Sequence, residues 1–125
     1  MNLDAIDHVA LSVADVERSA QWYVDVLGFR RQHDDLWNGM PLFVGNDNAG
    51  VALFPLRGDA NSKSPTSARI LHFAFRARRP DFLTAQQELK KREIDFQFQD
   101  HEISHSIYFN DPDGHEIEIT TYELK

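Results

Sequence analysis

Residues 106–119, SIYFNDPDGHEIEI, read as two alternating strands joined by one tight turn. The turn is Asp111-Pro112-Asp113-Gly114. Proline presets φ, aspartate bonds to nearby backbone, and glycine accepts a positive φ at no steric cost. Before the turn, Ile107 and Phe109 share one face of a strand placed at 106–109, which leaves Tyr108 on the other. After it, Ile117 and Ile119 share one face of a strand placed at 116–121 and leave Glu116, Glu118 and Thr120 on the opposite side. Side chains alternate across a strand, so one face is built for a core and the other presents a phenol, carboxylates and a hydroxyl.

Working outward, the preceding segments complete a βαβββ order. A strand at 96–99 follows a helix that starts at Pro80 and runs to about Arg92, with Phe82, Leu83 and Leu89 on its apolar face. Proline is tolerated in the first turn because its missing N–H would be unpaired there. Before the helix, ILHFAF at 70–75 alternates Leu71, Phe73 and Phe75 against Ile70, His72 and Ala74. The first half repeats this plan. IDHVALSV at 6–13 alternates, Asp15 caps a helix through Leu27, Gly28 ends it, and strands are expected at 29–32, 41–44 and 51–56. Residues 57–69, RGDANSKSPTSAR, have no periodicity and read as a connector. The fold class expected is α+β, two tandem βαβββ modules (1–56 and 70–125) forming a mixed-sheet cleft.

Each module carries a histidine eight residues before its first helical position: His8 before Val16 and His72 before Pro80, 64 residues apart (72 − 8). The same offset carries Leu53 onto Ile117 and Phe54 onto Glu118. By alternation both histidines lie on the sheet face away from the helix, the face that also presents Glu116 and Glu118. Two imidazoles and one carboxylate leave open coordination positions on a divalent ion, a set that suits Fe2+, Mn2+, Ni2+ or Zn2+.

Composition narrows the chemistry. With no cysteine among the 125 residues, thiol nucleophiles, disulfides and cysteine-held metals are excluded, so a metal must be held by histidine and carboxylate. Thirteen basic against twenty acidic residues give a net charge of −7, which argues against nucleic-acid and anionic-membrane partners. The N-terminal stretch MNLDAIDHVALSVAD does not look like a signal peptide, and no apolar run approaches the ~20 residues of a membrane span. A cytoplasmic protein acting on a small molecule is the expectation.

The repeat, the segments DHVALSVAD, WYVDVLGF and ILHFAF, and above all SIYFNDPDGHEIEI resemble the vicinal oxygen chelate superfamily, over essentially the whole chain. That group holds glyoxalase I, extradiol dioxygenases, fosfomycin-resistance transferases, an epimerase and bleomycin-resistance proteins. The resemblance implies metal ligands at His8, His72 and Glu118, a divalent ion (Fe2+ or Mn2+ first, Ni2+ or Zn2+ as alternatives) and a homodimer. A further carboxylate ligand of some members would fall on Phe54, so the three-ligand form is implied.

DHEISHSIYFNDPDGHEIE also resembles the extradiol signature, with His101, Tyr108, Asp111-Pro112, Gly114 and Glu118 in place. His101 and Tyr108 are thereby implied as groups that hydrogen-bond a catecholate and move its proton. The sequence departs from that signature at Gln99 and Glu102, and it has Leu56 and Arg57 where a dioxygenase base histidine would fall. Fosfomycin transferases are disfavoured, because Ala10 replaces their threonine and the run 95–105 holds no lysine or arginine. Extradiol ring cleavage therefore leads. A glyoxalase-type lyase or isomerase and a metal-free drug-binding protein of the bleomycin-resistance type are the alternatives.

Overall fold

A computed structural model describes residues 1–2, 5–56 and 70–125. The expected connector at 57–69 lies outside the described residues. The chain divides into two units, Met1–Ala68 and Arg69–Lys125, and each is taken by itself.

Module one contains β1 (His8–Val13), α1 (Val16–Leu27), β2 (Arg30–Gln32), β3 (Leu42–Gly45) and β4 (Gly50–Pro55), with a 3-10 turn at Trp37–Gly39. Its sheet runs β1-β4-β3-β2, with β1 parallel to β4 and the other pairs antiparallel. The helix starts as the sequence demands: the Asp15 carboxylate accepts from the Arg18 N–H, and Gly28 closes it at φ 72°. Ser19, Ala20 and Tyr23 bury against the sheet, whose facing side chains include Val13, Val44, Val51 and Leu53. All four are fully buried.

Module two repeats the order with β5 (Phe73–Arg76), α2 (Arg79–Lys91), β6 (Gln97–Asp100), β7 (His105–Asn110) and β8 (Glu116–Thr121). Its sheet, β5-β8-β7-β6, has the same pattern of one parallel and two antiparallel pairs. Pro80 lies in the first turn of α2. Phe82, Leu89, Ile107, Phe109 and Ile117 make the core.

Three expectations need correction. Leu83 is exposed and does not belong to the buried face of α2. His72 lies just before β5, not within the strand expected at 70–75, and Ile70 and Leu71 are both exposed. The third concerns register. Val9 pairs with Val51 and Phe73 with Ile117. If Val9 corresponds to Phe73, the last strands are offset by 66 (117 − 51), not 64. Glu118 therefore corresponds to Ala52 and not to Phe54. Neither position is a carboxylate, so the absence of a fourth acidic ligand stands.

Candidate active site

In each sheet the face away from the helix is the open face. In module two it collects His72, Glu116, Glu118, Ser106, Tyr108 and Thr120, because β5, β8 and β7 are neighbours and alternate in phase. His72 Nε2 is 3.1 Å from Glu118 Oε1, and His72 Nδ1 is 3.5 Å from Glu116 Oε1. Glu118 is fixed from its other oxygen. Ser106 Oγ donates to Glu118 Oε2 at 2.7 Å, and Ser106 Oγ and Thr120 Oγ1 are 3.0 Å apart. A serine has one hydroxyl proton, so Glu118 and Thr120 compete for it, and the Thr120 hydroxyl donates to the His105 carbonyl at 3.4 Å. Ser106 is fully buried, which holds that chain of hydroxyls away from competing water.

Tyr108 stands edge-on to His72, ring centroids 5.7 Å apart, and its Oη is 2.9 Å from His101 Nε2. Loss of solvent, and next the charge of Glu118, raises the Tyr108 phenol above its ordinary value. The expected placement of Tyr108 on this face follows from Ile107 and Phe109, both buried on the other.

In module one, His8 Nδ1 is 2.8 Å from Asp7 Oδ2. Its ring meets Phe43 edge-on at 5.4 Å. Both candidate histidines thus have a carboxylate on Nδ1 and present Nε2, the arrangement that orients ligating imidazoles in metal sites.

The donors suit a divalent ion. Two atoms bound to one metal at about 2.0–2.2 Å, at right angles, lie about 3 Å apart, and the His72–Glu118 separation of 3.1 Å matches. Among the described residues, however, no group of three or more His, Cys, Asp or Glu side chains is gathered to hold an ion. Of the five expected site residues, then, His72 and Glu118 meet, His101 and Tyr108 meet, and Tyr108 joins the two pairs. His8 has its own partners within module one.

Asp7, Ser106 and Glu116 were not singled out as orienting groups. Ser106 could have been, since it sits two residues from Tyr108 on the same strand face. His115, which follows the turn and precedes β8, is half-buried. Its Nδ1 lies 2.9 Å from Asp111 Oδ2, and the Asp111 side chain is fully buried. That hydrogen bond holds the His115 imidazole above its ordinary pKa.

A sequence model described as the Glyoxalase/Bleomycin resistance protein/Dioxygenase superfamily matches residues 5–119. The chain belongs to this superfamily. Its relatives within the glyoxalase superfamily include the "Metallothiol transferase FosB" of Staphylococcus epidermidis, 32% identical over all of this chain and 87% of that protein. The "Glutathione transferase FosA" of Serratia marcescens is 27% identical, over 94% of this chain and 80% of its own length. The "Biphenyl-2,3-diol 1,2-dioxygenase 3" of Rhodococcus globerulus is 28% identical over 90% of this chain, but only 60% of that protein is covered. A crystal structure of a glyoxalase/dioxygenase from Nostoc punctiforme superposes with a TM-score of 0.75 at 26% identity, covering 97% of this chain and 92% of that one. Glyoxalase-superfamily membership and the two-module fold accord with the sequence reading. The transferases do not accord with it, since the sequence reading disfavoured that group. Both transferases are matched over more of their length than the dioxygenase is. No described helix is long and apolar enough to cross a membrane.

Proposed function

We propose that this chain is a divalent-metal-dependent enzyme acting on a small substrate with adjacent oxygens, with His8, His72 and Glu118 as its ligands. Extradiol cleavage of a catechol is its leading reaction. The observation that carries this is the Tyr108–His101 hydrogen bond beside the His72–Glu118 pair on one sheet face. A divalent ion there would supply Lewis acidity and anchor neighbouring substrate oxygens. Fe2+ or Mn2+ is the ion expected, in a homodimer.

The chain's own residues do the rest. The Tyr108 hydroxyl, held 2.9 Å from the imidazole, gives or takes a proton at a substrate oxygen, and the exposed His101 exchanges it with water. Ser106 keeps Glu118 Oε2 occupied and so leaves Oε1 toward His72. Extradiol cleavage places both atoms of O2 on the ring carbons and needs no added reductant, so no further cofactor is called for.

A second reading is favoured by the 32% identity, over all of this chain, to a metallothiol transferase: metal-dependent addition of a thiol to a small electrophile. The test is anaerobic loading of the purified chain with Fe2+ or Mn2+, followed by a catechol panel with O2 uptake and visible absorbance recorded. The expected result is oxygen consumption with a yellow ring-opened product, lost together with metal binding in His72→Ala. Metal binding with thiol consumption on a panel of small electrophiles, and no oxygen uptake on any catechol, would replace the first reading by the second. No metal binding by the wild type would sink both.

A further inference from the structure

The open face of module two also carries a cavity of about 430 Å3, lined at its polar positions by Asp95, Gln97, Tyr108, Asn110 and Glu116. Strand register explains why these five share one face. Gln97 is opposite Tyr108, Asn110 is opposite Glu116, and Asp95 stands two residues before Gln97. The cavity adjoins the candidate centre through two of them: Glu116 lies 3.5 Å from His72 Nδ1, and the Tyr108 ring meets the His72 ring at 5.7 Å.

The lining has a definite sign. It offers two carboxylates, two carboxamides and a phenol, and neither lysine nor arginine contributes to it. Asp95, Gln97 and Asn110 are exposed and make no side-chain hydrogen bond or ion pair among the described residues, so a ligand would compete for them only with water. A protonated amine has three donors and a positive charge to offer such a surface. An anionic substituent would face two carboxylates with no cation to offset them, which discriminates against it.

We propose that this cavity receives a cationic substituent of the substrate, so that the preferred substrate is a small aromatic diol bearing a protonated amine. This rests on the proposed function for the diol, while the choice of sign rests on the cavity alone.

The test uses a matched pair, 2-(3,4-dihydroxyphenyl)ethylamine and 3,4-dihydroxyphenylacetate, which differ in the charge of one substituent. Dissociation constants are measured by NMR titration of the full metal-free chain, and kcat/KM is measured for the Fe2+-loaded chain. The amine is expected to bind roughly 1.5- to 5-fold tighter than the acid at low salt, the range of a partly exposed charge pair. The preference should shrink at 0.5 M NaCl. The net charge of −7 favours any cation weakly, so Asp95→Asn is compared with Asp34→Asn, which removes the same charge from an exposed site in module one. Asp95→Asn should remove most of the preference and Asp34→Asn should leave it. The side-chain amide signals of Gln97 and Asn110 should shift with the amine and not with the acid.

Equal affinities, a preference for the acid, or equal effects of the two variants would overturn the inference. Failure of either compound to be cleaved, with the amine preference and its Asp95 dependence intact, would instead overturn the ring-cleavage reading and leave the cavity's specificity standing.

Discussion

The two modules share one plan and differ in chemistry. Both place a histidine at the head of the first strand, with Nδ1 turned to a carboxylate and an aromatic ring edge-on to it: His8 with Asp7 and Phe43, His72 with Glu116 and Tyr108. Strand pairing makes Phe43 the counterpart of Tyr108, since Phe43 pairs with Ala52 and Tyr108 with Glu118. It also matches Gly50 with Glu116. In module one, then, the phenol has lost its hydroxyl and both carboxylate positions on the last strand have become glycine and alanine. A sheet can keep its histidine and its packing while giving up the phenol and both carboxylates that its strands presented around it. The proposed acid–base groups lie in module two, while module one sets two imidazoles, His8 and His33, edge-on against Phe43.

Exchanging the aromatic partners would break that contrast most strongly. Tyr108→Phe should lower kcat by about 10²- to 10⁴-fold, the usual worth of a positioned proton donor, with little change in metal affinity. Phe43→Tyr should leave kcat within a few-fold of the wild type. Steady-state kinetics of both variants, beside metal titration, decide it.

Ser106→Ala removes the hydroxyl that holds Glu118, a support with no counterpart contact in module one. Metal affinity should fall by about 10- to 100-fold, as for other groups that orient a ligand, measured by competition with a chelating dye. An unchanged affinity would show that Glu118 needs no such support.

Gly50→Ala probes the opposite case, a packing requirement peculiar to module one. A Cβ at Gly50 would fall on the Phe43 ring, so the ring must shift. A stability loss of about 1–3 kcal/mol is expected in urea unfolding, together with a change in the environment of His8.

The smallest effect concerns His115. Its folded pKa is raised by Asp111, so its stabilisation is complete below the unfolded value near 6.5 and is lost as pH rises through the folded value. His115→Gln should flatten the stability profile in that window, by less than about 1 kcal/mol. A profile identical to that of the wild type would remove His115 from the account.

Much of this was legible in the sequence because it depends on local rules. Asp15 and Gly28 bound α1 as read, and β8 runs over Glu116–Thr121 as expected. The faces of Tyr108 and Glu118 follow from alternation with buried neighbours. What alternation could not supply was the length between elements. From first to last strand, Val9 to Val51 spans 42 residues (51 − 9), whereas Phe73 to Ile117 spans 44 (117 − 73). One of the two extra residues sits in the turn before β8, where Asn110 pairs with Glu116, against the shorter link between Gly45 and Gly50. A change of two keeps odd and even positions in phase, so the face came out right while the counterpart of Glu118 was misplaced from Ala52 to Phe54. The orienting groups Asp7 and Glu116 were missed for another reason. Their role lies in a carboxylate facing a ring nitrogen, hydrogen-bonded for Asp7 and at 3.5 Å for Glu116, and one sequence carries no period that marks such contacts.

The turn before β8 has a consequence of its own. One fully buried carboxylate, Asp111, receives the N–H groups of Asp113 and His115 and the His115 ring, and the Asp111 N–H closes back on the His115 carbonyl. Five residues are thereby tied into a knot of fixed length directly ahead of the strand bearing Glu118. A slip of one residue in β8 would send Glu118 into the apolar layer and bring Ile117 or Ile119 out in its place. The knot acts as a phase lock: it decides how many residues may pass between two strands, and through that count it keeps a negative charge on the side of the sheet where it can be used.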